Sequence, residues 1–152
     1  MDSKCNTNIH GVIVTPLKII EDNRGAVMHM MKSTSIGYNG FGEVYFSVVK
    51  SGVIKGWKRH KKMTQNFVVP HGLIELIVID HRKDSPTLGQ SQRIILGKPE
   101  SYCRVTVPPR LWYAFKAISP TEAILTNCAD LPHDPLESEV KQITGDGVEY
   151  AW

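Results

Sequence analysis

SGVIKGWKRHKKMTQNFVVPHGLIELIVIDHRKDSPTLG, residues 51–89, holds three strand-like runs at 53–57, 66–69 and 73–79, each set off by Gly or Pro. That is the pattern of consecutive strands joined by turns. The same stretch carries Lys55, Lys58, Arg59 and His60 within or just after its first run, where a packed strand is ordinarily apolar. Cations facing a cleft are costly unless they meet an anion, and a substrate can be that anion. Strict alternation puts Lys55, Trp57 and Arg59 on one face and Ile54, Gly56, Lys58 and His60 on the other. Residues 59–62 also read as a solvated strand end running into a turn, but a bulge at Gly56 would break the alternation and send Lys55 and Lys58 into one cavity, an arrangement suited to a diphosphate.

Working outward, strands are expected at 11–16, 26–31, 41–49, 91–96, 102–107, 111–118 and 122–126, with turn residues between them. The 41–49 run alternates cleanly. Glu43, Tyr45 and Ser47 share one face, and Val44, Phe46 and Val48 share the other, so the polar face meets either solvent or a polar lumen. Only 134–142 reads as helical, with Asp134 as its cap. About ten short strands with almost no helix predict an all-β jelly-roll barrel or sandwich of antiparallel strands. The 152 residues, 41% hydrophobic and 22% charged, fit one domain over 1–152, with residues 1–10 expected to be loose.

Composition also excludes. The net charge of +3 and the single short basic block at 58–62 give no broad nucleic-acid face. No apolar run reaches the ~18 residues of a membrane helix. The first residues lack the apolar core of a signal peptide. Cys5, Cys103 and Cys128 are odd in number and widely spaced, which reads as reduced thiols in a cytoplasmic protein. No His-x-His pair and no G-x-S-x-G elbow occurs, so neither a metal site nor serine catalysis is expected.

The order DNRG, FGEVYFSVVKSGVIKG, VIDHRKDSPTLG and VPPRLWYAF resembles the dTDP-4-dehydrorhamnose 3,5-epimerase family of nucleotide-sugar epimerases. The resemblance covers roughly residues 11–150, and DHRKDSPTLG is its most specific part. It implies a cupin jelly roll, a homodimer and a nucleotide sugar held in the barrel mouth, with no metal and no cofactor. It also implies site residues. Arg24 matches the Arg of D-x-R-G, and Lys55 stands for a diphosphate-binding Arg. Glu43, Tyr45 and Ser47 stand where the family has Gln, Asn and Ser. His29 replaces a Glu that reads the nucleobase. The family's base His falls on Lys58, its enolate-stabilising Lys on Asn66, and its acid Tyr near Thr126. The His of G-x-x-H-G-F falls on Tyr113. The orienting Asp lies beyond a run matched by residues 147–150 and has no counterpart before Trp152.

Epimerising a carbon beside a ketone needs a base, a donor for the enolate oxygen and a proton returned from the other side. Lys58 and His60 are the candidate bases on their strand, and Tyr113 is the candidate acid on the opposite wall. The expected activity is epimerisation or keto-isomerisation of a 4-keto-6-deoxy or related keto nucleotide sugar, in polysaccharide or deoxysugar biosynthesis. The competing expectation is a barrel that binds the nucleotide sugar without catalysis, because base, acid and orienting Asp are replaced together.

Overall fold

The computed structural model describes residues 7–99 and 101–152. Among these residues twelve strands form in chain order: β1 (Ile13–Pro16), β2 (Ile19–Asp22), β3 (Gly25–Met28), β4 (Glu43–Val49), β5 (Ile54–His60), β6 (Gln65–His71), β7 (Ile74–Ile79), β8 (Ser91–Leu96), β9 (Cys103–Val107), β10 (Trp112–Ala117), β11 (Ala123–Ala129) and β12 (Ser138–Val140). Two five-stranded antiparallel sheets, ordered β1-β9-β6-β11-β4 and β12-β5-β10-β7-β8, make the jelly roll expected of the sequence. The β2–β3 ribbon forms a sheet of its own.

Between the sheets lies the main core, in which Val105, Phe67 and Leu125 of the first sheet meet Leu76, Val78 and Phe115 of the second. A second cluster covers the outer face of the second sheet. There Trp57, Ile77, Ile79 and Trp112 pack against the C-terminal residues Val148, Tyr150 and Trp152. With both faces covered, β7 is buried along its whole length, which is why it reads as continuous apolar sequence rather than as an alternation. Each large side chain so enclosed contributes about 1.5–3 kcal/mol.

The helix expected over 134–142 is not formed. Asp134 does cap, accepting from the Leu136 N–H, but the turn it starts is a single 3₁₀ turn at Pro135–Glu137. Residues 138–140 then become β12 and pair with the exposed edge of β5, Ser138 opposite His60 and Val140 opposite Lys58. Completing a sheet edge outweighs the weak propensity of a short helix. β2 is a further departure, since residues 21 and 22 were expected in a turn and instead pair with 26 and 25.

The N-terminal segment is tied down from residue 7. The Thr7 hydroxyl and the Asn8 N–H both donate to the Gln92 side chain, and the His10 carbonyl accepts from Arg82. That arginine belongs to a buried knot in which the Asp80 carboxylate accepts from Arg82, the Ser85 hydroxyl at 2.5 Å and the Thr87 hydroxyl at 2.6 Å. Burial works to raise the Asp80 pKa, but the hydrogen bonds from Arg82, Ser85 and Thr87 outweigh it and hold the carboxyl far below its usual range. Cys5 lies outside the described residues. Cys103 is buried, and burial pushes the Cys128 thiol up, away from reactivity.

Candidate active site

A cavity of about 440 Å³ opens at one end of the barrel, between β4 of the first sheet and β5 and β10 of the second. Its polar lining includes Glu43, Tyr45 and Ser47 from β4, Lys55, Lys58 and His60 from β5, and Tyr113 from β10, over a floor of Met63, Phe67 and Leu125. The polar face of β4 therefore looks into a lumen. Its apolar face, Val44, Phe46 and Val48, looks out and is exposed.

The bulge at Gly56 is what gathers the cations. Register on β10 shifts between Tyr113, opposite Lys58, and Ala114, opposite Gly56, so Trp57 is the extra residue on β5. Its backbone turns outward and exchanges hydrogen bonds with Lys141 at 3.0 and 2.9 Å. Only glycine fits at 56, because φ is +140° and a Cβ would overlap that of Ala114. The extra residue resets the alternation, and Lys55 and Lys58 both reach the cavity. Arg59 stays on the outer face, paired with Glu139 at 2.6 Å and lying over the Trp112 ring.

Lys55 Nζ spans the gap between the sheets, donating to Ser47 Oγ at 3.0 Å and to the Val48 carbonyl at 2.7 Å. His60 is buried deeper, its Nδ1 2.6 Å from Glu137 Oε2. The other oxygen of that carboxylate accepts the backbone N–H groups of Lys62 at 2.7 Å and Met63 at 2.9 Å. Those bonds hold Glu137 ionised: burial raises its pKa, but the hydrogen bonds from His60, Lys62 and Met63 bring it below the ordinary glutamate value. A carboxylate at Nδ1 requires the proton there, so the free lone pair of His60 is on Nε2. Burial, the largest influence, pushes the His60 pKa below 6.5 despite the opposing hydrogen bond and charge of Glu137, and the positive charges of Lys58 and His133 add to the lowering. At neutral pH this is an uncharged, oriented base.

Glu137 is the residue that sequence reasoning missed. It sets a carboxylate against His60 Nδ1, from the segment read as a helix and 77 residues away from His60. The only signal for it was an acidic residue beside a cap.

Four other placements differ from expectation. Tyr113 is not on the wall opposite His60: β10 is the neighbour of β5, and the Tyr113 hydroxyl lies 3.4 Å from His60 Nε2 while donating to Gln65 Oε1 at 3.1 Å. Burial drives its pKa well above the ordinary tyrosine value. Asn66 does not line the cavity, because its side chain points to the other face of β6, accepting from Thr106 and donating to the Gly37 carbonyl. Arg24 and His29 do not line it either. Arg24 is exposed at the tip of the β2–β3 ribbon and paired with Asp22, and His29 lines a separate cavity with Lys18, Lys32 and Arg104. Among the described residues no three His, Cys, Asp or Glu side chains converge as a metal site, and no helix is long and apolar enough to cross a membrane.

The dTDP-4-dehydrorhamnose 3,5-epimerase family model matches residues 6–148. The chain belongs to this family. Within its range of relatives, the probable low-salt glycan biosynthesis epimerase Agl13 of Haloferax volcanii is 33% identical over 122 residues, 79% of this chain and 78% of that protein. The spore coat polysaccharide biosynthesis protein SpsL of Bacillus subtilis is 23% identical over 138 residues, 91% of each. Among solved structures, the dTDP sugar isomerase of Desulfovibrio desulfuricans superposes with a TM-score of 0.86 at 40% identity, over 88% of this chain and 85% of that one. The fold also extends to NovW of Streptomyces spheroides, a 4-keto-6-deoxy sugar epimerase, with a TM-score of 0.79 at 23% identity over 89% and 71% of the two chains.

Proposed function

We propose that this epimerase-family protein removes and returns a proton beside the ketone of a 4-keto-6-deoxy or related keto nucleotide sugar, as an epimerase or keto-isomerase of glycan or deoxysugar biosynthesis. The observation that carries this reading is the His60–Glu137 pair at 2.6 Å, buried at the wall of the cavity. In it a carboxylate fixes the imidazole with its basic nitrogen free. A barrel that only held its ligand would have no use for a base so prepared.

In this reading His60 Nε2 takes the proton from the carbon, and the electron pair moves into an enolate. Lys58, whose positive charge is felt at His60, offsets the charge developing on the enolate oxygen. Lys55, held across the mouth by Ser47 and the Val48 carbonyl, meets the diphosphate. Glu43 and Ser47 line the sugar's path.

Arg24 and His29 join the site in a homodimer. The β2–β3 ribbon pairs with neither sheet of its own chain and exposes Ile20 and Val27, which supports a second copy lying against it. We place the protein in the cytoplasm, where nucleotide sugars are made.

The test is hydrogen exchange. Incubated in D₂O with dTDP-4-keto-6-deoxyglucose and its UDP, GDP and CDP counterparts, the protein should place deuterium beside the carbonyl of at least one. His60→Ala should abolish this and leave nucleoside diphosphate binding intact. Binding without exchange in the parent protein would instead leave a nucleotide-sugar binder.

A further inference from the structure

The wall facing His60 carries a phenol whose proton is uncommitted. Tyr45 enters the cavity from β4, the edge strand of the first sheet, whereas His60 and Tyr113 enter from the second. Tyr45 pairs with Asn127 on β11, and Asn127 Nδ2 donates to the Tyr45 hydroxyl oxygen at 3.0 Å. Asn127 is itself fixed. Its Nδ2 also donates to Gln65 Oε1 at 2.9 Å, its Oδ1 accepts the Asn66 N–H at 3.2 Å, and it is fully buried.

The phenol oxygen is thus held as an acceptor, and among the described residues its own O–H has no protein acceptor. Tyr113 is the reverse case, with its O–H given to Gln65 and its oxygen beside His60 on the same wall. Burial raises the Tyr45 pKa, the Glu43 charge adds to this, and the Asn127 hydrogen bond opposes it, so the phenol carries its proton at neutral pH. An acid is available on one side of the cavity and a base on the other.

We propose that Tyr45 is the catalytic proton donor on the face opposite His60, so that the reaction inverts the carbon it deprotonates. This rests on the epimerase reading above. The C–H bond breaks toward His60 Nε2, and its electrons form the enolate C=C as the carbonyl oxygen takes the negative charge. The Tyr45 O–H then breaks toward the other face of that carbon while the carbonyl re-forms. The tyrosinate regains a proton from water, and the imidazolium returns one to water. Substrate and product are isomers, and nothing is oxidised or reduced.

The experiment compares the parent and Tyr45→Phe with the keto-sugars above in D₂O, following deuterium content and configuration separately. The parent should give inverted, singly deuterated product. Tyr45→Phe keeps the ring and should still bind dTDP and wash deuterium in at the original configuration, through His60, while epimer formation falls at least ~10²-fold, the lower range for a positioned acid. An unchanged rate of inversion in the variant would overturn the proposal. So would exchange and inversion falling in equal proportion with a raised KM, which marks a binding role. Exchange without inversion in the parent would overturn it while leaving keto-isomerisation standing, and no exchange in the parent would remove the epimerase reading itself.

Discussion

Replacing Glu137 with Gln alters one bond of the site and spares the others. Oε1, which accepts from the backbone of Lys62 and Met63 at 2.7 and 2.9 Å, has a counterpart in the Gln carbonyl, so the turn remains anchored. At Oε2 an NH₂ group replaces the oxygen that lies 2.6 Å from His60 Nδ1. Two donors then face one another. The imidazole relieves the conflict by moving its proton to Nε2, which removes the lone pair needed to deprotonate the sugar. The structure thus confines the damage to a single charge-assisted hydrogen bond, worth about 1.5–3 kcal/mol. At ~1.36 kcal/mol per decade, exchange should slow roughly 10- to 150-fold. The assay is deuterium wash-in at saturating keto-sugar, with dTDP affinity and thermal unfolding as controls. The pH profile separates this from a structural defect. In the parent the acid limb should lie below 6.5, since burial lowers the His60 pKa. Because the Glu137 hydrogen bond and charge raise that pKa, the variant's limb should move lower still. Wash-in within twofold of the parent, or an unmoved limb, would refute the assignment of His60 and Glu137 as base and orienter.

Two further outcomes are expected. Lys55→Ala should weaken nucleoside diphosphate binding by about 1.5–3 kcal/mol in titration calorimetry while Lys55→Arg recovers most of it, and equal affinity in all three proteins would remove Lys55 from the diphosphate site. Asp80→Asn should cost about 3–5 kcal/mol in urea unfolding at pH 7, since it leaves Arg82 buried against a neutral group. The folded-state pKa of Asp80 is depressed, so its stabilisation is complete above the unfolded value near 3.8 and is lost as pH falls through the folded value. The gap between parent and variant should therefore narrow below pH 4, and a constant gap would contradict the charge argument.

Much of the fold is legible because it rests on short-range pattern. Alternation at 43–49 and turn residues between runs suffice for an antiparallel sandwich, and one glycine among cations suffices for the bulge. What escapes is everything set by contacts across the chain. The pairing of 138–140 with the β5 edge converts an apparent helix into a strand and delivers Glu137 to His60. The adjacency of β10 and β5 moves Tyr113 to the wall that carries His60. Asn66 shows the remaining limit: its strand parity turns it toward Thr106 and the 37 loop, where it holds structure, although the family pattern puts a reactive lysine there. Tyr45 was visible as a lining residue, but its free proton depends on Asn127, which only the sheet places beside it.

The two faces of β4 put different demands on a single short segment. One side lines the cavity, the other presents Val44, Phe46 and Val48 to whatever lies outside the barrel. A slip of one residue would exchange those roles, filling the pocket with apolar side chains and turning its hydroxyls and carboxylate outward. Gly42, the residue just before the strand, guards against this. Its N–H is bonded to the Ala129 carbonyl at 2.8 Å, and a Cβ there would collide with the Leu131 backbone. Changes that tune ligand choice and changes that tune the outer surface can therefore accumulate independently at alternate positions, whereas an insertion or deletion near Gly42 would spoil both at once.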